Sequence, residues 1–183
     1  MKNDIMVDIE TTGTDMSRNA IIQIAGVRFD YETGTLDTDN MFNRCLAIPG
    51  WRTWDLGTHQ WWQKQGDVLK NIMSRAEDPR TVLIDFARWV NLSGDSPRLW
   101  AKPSHFEFPF ISSYYSDFEL PIPFGYRETV DLNSFMRGRF NSPGKDAFDK
   151  EIPMDGPAHD AIYDTIHQIA YALEIKKRAL IAA

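Results

Sequence analysis

Two carboxylates two residues apart, Asp8 and Glu10, stand in the otherwise apolar run Ile5-Met6-Val7-Asp8-Ile9-Glu10, which ends in Thr11-Thr12-Gly13. In a strand, the two-residue period puts both acids on one face. Like charges on a buried strand raise each other's pKa and cost several kcal/mol unless a cation neutralises them. A hard divalent cation such as Mg²⁺ meets that need, since it takes oxygen ligands and often only one or two carboxylates. The competing reading is a half-exposed edge strand whose outer face is acidic. A second group lies near the other end, in Pro157-Ala158-His159-Asp160-Ala161-Ile162-Tyr163-Asp164. There a helical carboxylate, Asp164, could face the strand and complete a metal site. A histidine at the helix entry, His159, could take a proton from an attacking water as general base. Alone, that segment reads more simply as a capped helix with a surface histidine.

The elements that would position these residues can be followed along the chain. Ala20 to Asp30 reads as a second strand and Asp39 to Ile48 as a third, so the N-terminal third is expected to be an antiparallel meander. From Asp55 to Arg75 the pattern is helical, with Thr58 as the expected N-cap and Gly66-Asp67 as an interruption. A helix starting at Pro79 carries Val82, Leu83, Phe86, Trp89 and Val90 as its apolar stripe. Arg98 to Ala101 is a short strand. Phe106 to Tyr115 is apolar and aromatic, with Glu107 its only charge, and its place after a strand and a polar loop favours a helix. Arg127 to Leu132 reads as a strand entering a short helix. Arg139 to Pro157, rich in Gly, Pro, Lys and Asp, reads as a mobile loop, and Ala158 to Arg178 as the longest helix. Strands first, then helices alternating with short strands, indicate a mixed-sheet α/β domain spanning residues 1–183.

The 183 residues carry 26 acids against 20 bases, a formal net charge of −6. This argues against a module that grips nucleic acid by a broad basic surface, though not against an enzyme whose acids are metal ligands. Cys45 is the only cysteine, so an intrachain disulfide is excluded and a cytoplasmic setting is expected. The start lacks the apolar core of a signal peptide, and no apolar run approaches about 18 residues, so no membrane association is expected.

Taken together, Asp8-x-Glu10-Thr11-x-Gly13, a carboxylate after an aromatic at Phe106-Glu107, and His159-x-x-x-x-Asp164 resemble the DEDDh 3′–5′ exonucleases. That superfamily includes the proofreading subunits of bacterial polymerases, oligoribonuclease and ribonuclease T. The resemblance runs from about residue 5 to 175. More narrowly, Thr58-His59-Gln60-Trp61-Trp62-Gln63-Lys64-Gln65 is similar to the branch containing a mycobacterial exoribonuclease and phage or prophage exonucleases. One of Trp61 and Trp62 is expected in the core and the other on a nucleobase. The main departure is Glu107, which stands where the family has Asp. The Asn that usually precedes it is absent from Ala101-Lys102-Pro103-Ser104-His105-Phe106, and Asp117 is a weaker substitute.

The resemblance implies a ribonuclease-H-like fold, a five-stranded mixed sheet flanked by helices. It implies hydrolysis of the 3′-terminal phosphodiester of single-stranded RNA or DNA, giving nucleoside 5′-monophosphates. Two Mg²⁺ or Mn²⁺ ions would be bound by Asp8, Glu10, Glu107 and Asp164, with Asp8 shared. His159 would be the general base, and Thr11, Thr12, Gly13, Trp61, Trp62 and Ser104 would contact substrate. Lys102, Arg137, Arg139 and Lys145 are candidate phosphate contacts, and several relatives are homodimers. The longer Glu107 side chain shifts its oxygens by about 1.5 Å, which leaves a catalytically weakened binding or regulatory module on the same fold as the alternative. A structural partner protein would account for the six Trp but not for the ordered acids.

Overall fold

The computed structural model describes residues 4–92, 94, 97–140 and 151–181. In chain order the strands are β1 (Asp4–Thr11), β2 (Ile21–Phe29), β3 (Phe42–Leu46), β4 (Ala76–Glu77), β5 (Arg98–Ala101) and β6 (Thr129–Asp131). The helices are α1 (Leu56–Trp62), α2 (Asp67–Ser74), α3 (Pro79–Val90), α4 (Ser104–Asp117), α5 (Leu132–Phe140) and α6 (Ala161–Ile181). The strands form one mixed sheet in the order β4-β3-β2-β1-β5-β6. β2 runs antiparallel to β1 and β3, while β5 and β6 run parallel to β1.

The apolar run that frames the two acids makes β1 an interior strand, which sets aside the edge-strand reading. Its alternate residues part cleanly. Ile5, Val7 and Ile9 join a core with Leu83, Phe86 and Tyr114 from α3 and α4. Met6 joins the opposite core, with Leu132 and Met136 of α5 and Ile169 and Ala172 of α6. Asp8 and Glu10 share the Met6 side by the same two-residue period, so they face α6. Each aliphatic side chain so buried contributes roughly 1.5–3 kcal/mol. The register of β1 against β5 is pinned by Asp4, which accepts from Arg98 Nε (2.7 Å) and Trp100 Nε1 (2.8 Å) while almost wholly buried. Gly26 on β2 leaves room for the Trp89 ring, which a Cβ would crowd at 2.8 Å.

Several expectations need correcting. The sheet has six strands rather than five, because Ala76–Glu77 adds a parallel edge to β3; two residues carry no periodicity. β3 starts at Phe42, not Asp39, since the Asn40 carbonyl is held by Trp89 Nε1 (2.7 Å) instead of by a strand partner. The N-cap of α1 is Asp55, not Thr58: its carboxylate accepts from Thr58 N (2.8 Å). The final helix begins at Ala161, so His159 precedes it. Arg139 lies in the last turn of α5 and is not in a loop, whereas most of the expected mobile stretch, with Lys145, lies outside the described residues. Among the described residues no helix is long and apolar enough to cross a membrane.

Candidate active site

The carboxylates converge where the C-terminal half of β1 meets the starts of α4 and α6. Asp8 is 7% exposed and Glu107 3%, while Glu10 and Asp164 are half-buried. Glu10, His159 and Asp164 bring ligand atoms within 4.8 Å of one another. Burial pushes Asp8 well above the usual carboxylate range, and the Asp164 charge adds to the shift. Burial likewise raises Glu10, with Asp8, Asp164, Asp160 and Glu107 all contributing. Glu107 is raised by burial and then by Asp8, and Asp164 chiefly by burial. These acids therefore stand in one mutually repelling group.

The donor set fits a hard divalent cation. All four carboxylates offer oxygen, and Glu107 Oε2 is buried with no hydrogen-bond partner, a costly state for a group that accepts only. Asp117 cannot substitute for Glu107. It is held by Arg52, which donates from Nη2 (2.6 Å) and Nε (2.9 Å) and is itself buried beneath Met16 and Asn19.

His159 sits in the turn before α6 with φ +65°, a left-handed conformation uncommon for a residue with a Cβ. Its amide donates to Asp164 Oδ2 (2.9 Å), folding the turn back onto α6. Gln23 on β2 anchors the same turn: Nε2 donates to Asp160 Oδ1 (2.7 Å) and Oε1 accepts from Ala161 N (3.1 Å). The Trp61 ring meets His159 edge to face at 4.6 Å and remains 38% exposed. Trp62 is 1% exposed and donates Nε1 to the Thr11 carbonyl (2.9 Å), so it belongs to the core.

The turn after β1 is largely committed to the fold. Thr12 gives its amide to Ala20 O (2.8 Å) and its hydroxyl to Thr53 O (2.8 Å). Thr11 Oγ1 donates to Gly13 O (2.7 Å). A Cβ at Gly13 would overlap the Asn19 side chain, so packing alone accounts for that glycine. Ser104 gives its amide to Asp131 Oδ2 (2.9 Å), and Asp131 Oδ1 accepts from Ser134 N (2.7 Å); one carboxylate thus caps both α4 and α5.

The residue that motif reading missed is Gln168. It lies one turn beyond Asp164 on α6, is 6% exposed, and donates Nε2 to Asp8 Oδ1 (2.7 Å). The only signal in the sequence is a polar residue on the apolar face of α6.

This sheet order, with four acids and a histidine at the end of its central strand, is the ribonuclease-H-like exonuclease architecture, and solved structures share it. The S. pombe Pop2p structure with Mg²⁺ and Mn²⁺ bound aligns at a TM-score of 0.72 and 18% identity, covering 97% of this chain and 84% of that one. The nuclease domain of 3′hExo, a DEDDh family member bound to rAMP, aligns at 0.74 and 15%, covering 96% and 92%. The E. coli ExoI–ssDNA complex aligns at 0.71 and 16%, covering 96% of this chain but 40% of the larger enzyme. No curated protein sequence matches. Residues 3–176 match the family model of the 3′-5′ exoribonuclease Rv2179c-like domain, and the chain belongs to that family. It is a 3′–5′ exonuclease by that membership.

Proposed function

We propose that the chain hydrolyses the terminal phosphodiester at the 3′-end of single-stranded nucleic acid, with RNA as the substrate class, and releases nucleoside 5′-monophosphates with Mg²⁺ or Mn²⁺ bound. The observation that carries this reading is the grouping of Glu10, His159 and Asp164, whose ligand atoms lie within 4.8 Å of one another, beside Asp8 and Glu107, whose charges act on Glu10, with a buried Glu107 oxygen left without a hydrogen-bond partner. Asp8, Glu10, Glu107 and Asp164 would hold the cations, which supply Lewis-acid stabilisation of the attacking and leaving oxygens. The protein's own groups do the rest. An imidazole nitrogen of His159 takes a proton from the water that attacks phosphorus, the bond to the upstream 3′-oxygen breaks, and that oxygen leaves as a 3′-hydroxyl after taking a proton from solvent. The hydrogen bond that the His159 amide donates to Asp164 and the Gln23 anchor hold the base ready. Trp61, exposed beside His159, offers a face for the terminal base, a contact typically worth about 1–3 kcal/mol.

Gln168 orients Asp8 by occupying one of its two oxygens. Replacing it by Leu is expected to weaken Mn²⁺ binding by roughly 10–100-fold, as loss of a hydrogen bond behind a ligand does, without unfolding the protein. Titration followed by the Mn²⁺ paramagnetic resonance signal reads this directly, and unaltered affinity would remove Gln168 from the site.

The reading itself is tested with 5′-labelled single-stranded RNA and DNA of one sequence, incubated with either cation. Stepwise shortening from the 3′-end with release of 5′-monophosphates is expected, faster on RNA. Absence of release from both substrates with both cations would overturn it and leave the binding-module alternative.

A further inference from the structure

Asp160 is a further acid beside the cluster, and its charge bears on Glu10 and Asp164. Unlike Glu107, whose Oε2 has no hydrogen-bond partner, it has both oxygens turned to protein groups. Its Oδ1 accepts from Gln23 Nε2 (2.7 Å), and its Oδ2 faces Arg75 Nη2 at 4.0 Å. The Asp160 carbonyl accepts from Tyr163 N (2.9 Å) and Asp164 N (3.2 Å), the first bonds of α6. Asp160 therefore joins the His159 turn to the helix that carries Asp164.

The partner of Asp160 has little freedom. Gln23 is fully buried on β2, directly opposite Glu10 in the strand pair. Its Nε2 donates to Asn43 Oδ1 (2.9 Å) as well as to Asp160, and its Oε1 accepts from Ala161 N (3.1 Å). A carboxylate can only accept and a backbone N–H can only donate. The carboxamide of Gln23 answers both at once, and the two partners fix which end points where. Methionine, of similar length, would answer neither. Glutamate would still accept from Ala161 N but would set a second carboxylate against Asp160.

Resting on the exonuclease reading, we propose that Asp160 is a positioning residue for the reaction and not a cation ligand: through its bond with Gln23 it holds His159 in the left-handed conformation (φ +65°) from which the imidazole serves the attacking water. The bond can be reversed. Glutamate at position 23 and asparagine at position 160 would place the acceptor on β2 and the donor in the turn, with the net charge unchanged. Ala161 N keeps its acceptor, and Asn43 turns its own amide to donate.

The reversal is the test, made on the wild type, both single variants and the double variant. Three quantities are read: kcat and KM on single-stranded RNA at saturating Mn²⁺, Mn²⁺ affinity from the paramagnetic resonance signal, and hydrogen exchange at the His159 amide without metal. Gln23→Glu is expected to lower kcat by about 10–100-fold with KM little changed, the scale of a misplaced reacting group, and to speed exchange at His159. Asp160→Asn should lower kcat less, because an asparagine oxygen still accepts from Gln23. Its Mn²⁺ affinity should fall by less than about tenfold, below the scale of losing a ligand or its support. Gln23→Glu/Asp160→Asn should recover most of the turnover and the amide protection lost in Gln23→Glu. Gln23→Met, which removes both bonds without adding charge, serves as the disrupted variant if Gln23→Glu does not fold. Undiminished kcat in the disrupted variant, no recovery in the double variant, or a larger loss of Mn²⁺ affinity in Asp160→Asn would overturn the assignment. Wild-type protein that releases nothing from RNA or DNA would instead overturn the exonuclease reading, and this inference with it.

Discussion

Asp8→Asn is expected to abolish hydrolysis and, in the same protein, to raise the melting temperature measured without metal. The two effects have one origin. Asp8 is held in the interior by burial and by the repulsion of Asp164, so its charge opposes folding until a cation arrives. Asparagine keeps an oxygen for Gln168 Nε2 to donate to and removes the charge. Relief of such a site is worth on the order of 1–2 kcal/mol, or roughly 2–8 °C for a chain of this size. The activity loss should be about a thousandfold or more, as when a group stabilising the transition state is deleted. The pH dependence fixes the sign. Asp8, Glu10, Glu107 and Asp164 all titrate above the ordinary range when folded, so the folded state holds protons that the unfolded chain has released. The contribution of these four groups to the stability of the metal-free protein is therefore full below about pH 4 and falls as pH rises towards the raised values. Mn²⁺ should flatten this decline, and Asp8→Asn should make it shallower. A metal-free Asp8→Asn protein that melts lower than wild type at pH 8 would contradict the account.

The second large effect concerns Glu107. Shortening it to Asp, the residue usual in the wider superfamily, is expected to lower kcat by about 10–100-fold rather than improve it. The start of α4 is fixed by the Asp131–Ser104 cap, so the backbone cannot follow a shorter side chain. The carboxylate would withdraw by about 1.5 Å, and productive geometry tolerates only about 0.5 Å. Turnover at saturating Mn²⁺ decides the point. An Asp variant as fast as the wild type or faster would mean that glutamate handicaps this site rather than fits it.

The sequence carried the fold wherever the signal was local and repeated. The apolar alternation of β1, the stripe of α3 and the long pattern of α6 place three elements whose packing defines the central sheet and both of its faces. Type and order along the chain single out Asp8, Glu10, Glu107, His159 and Asp164, and the structure brings Glu10, His159 and Asp164 within reach of one another. What was not legible depends on distant partners. Gln168 meets Asp8 across 160 residues and Gln23 meets Ala161 across 138, and neither glutamine announces itself. β4 is too short for a period, and at the start of α1 both Asp55 and Thr58 are capping types. The left-handed turn at His159 is held by the hydrogen bond its amide donates to Asp164 and by Gln23, not by a glycine.

The two borders of the sheet have a bearing on how this protein behaves in company. A free strand edge is a template for unwanted pairing between molecules. Here one border is the two-residue β4, whose Glu77 is tied to Arg44, and the other is the three-residue β6, which ends in a helix-capping aspartate. Neither border is long enough or apolar enough to recruit a neighbouring chain. The sheet is thereby protected against edge-to-edge aggregation, and its interior strand can carry a cluster of buried acids while its borders stay short and charged.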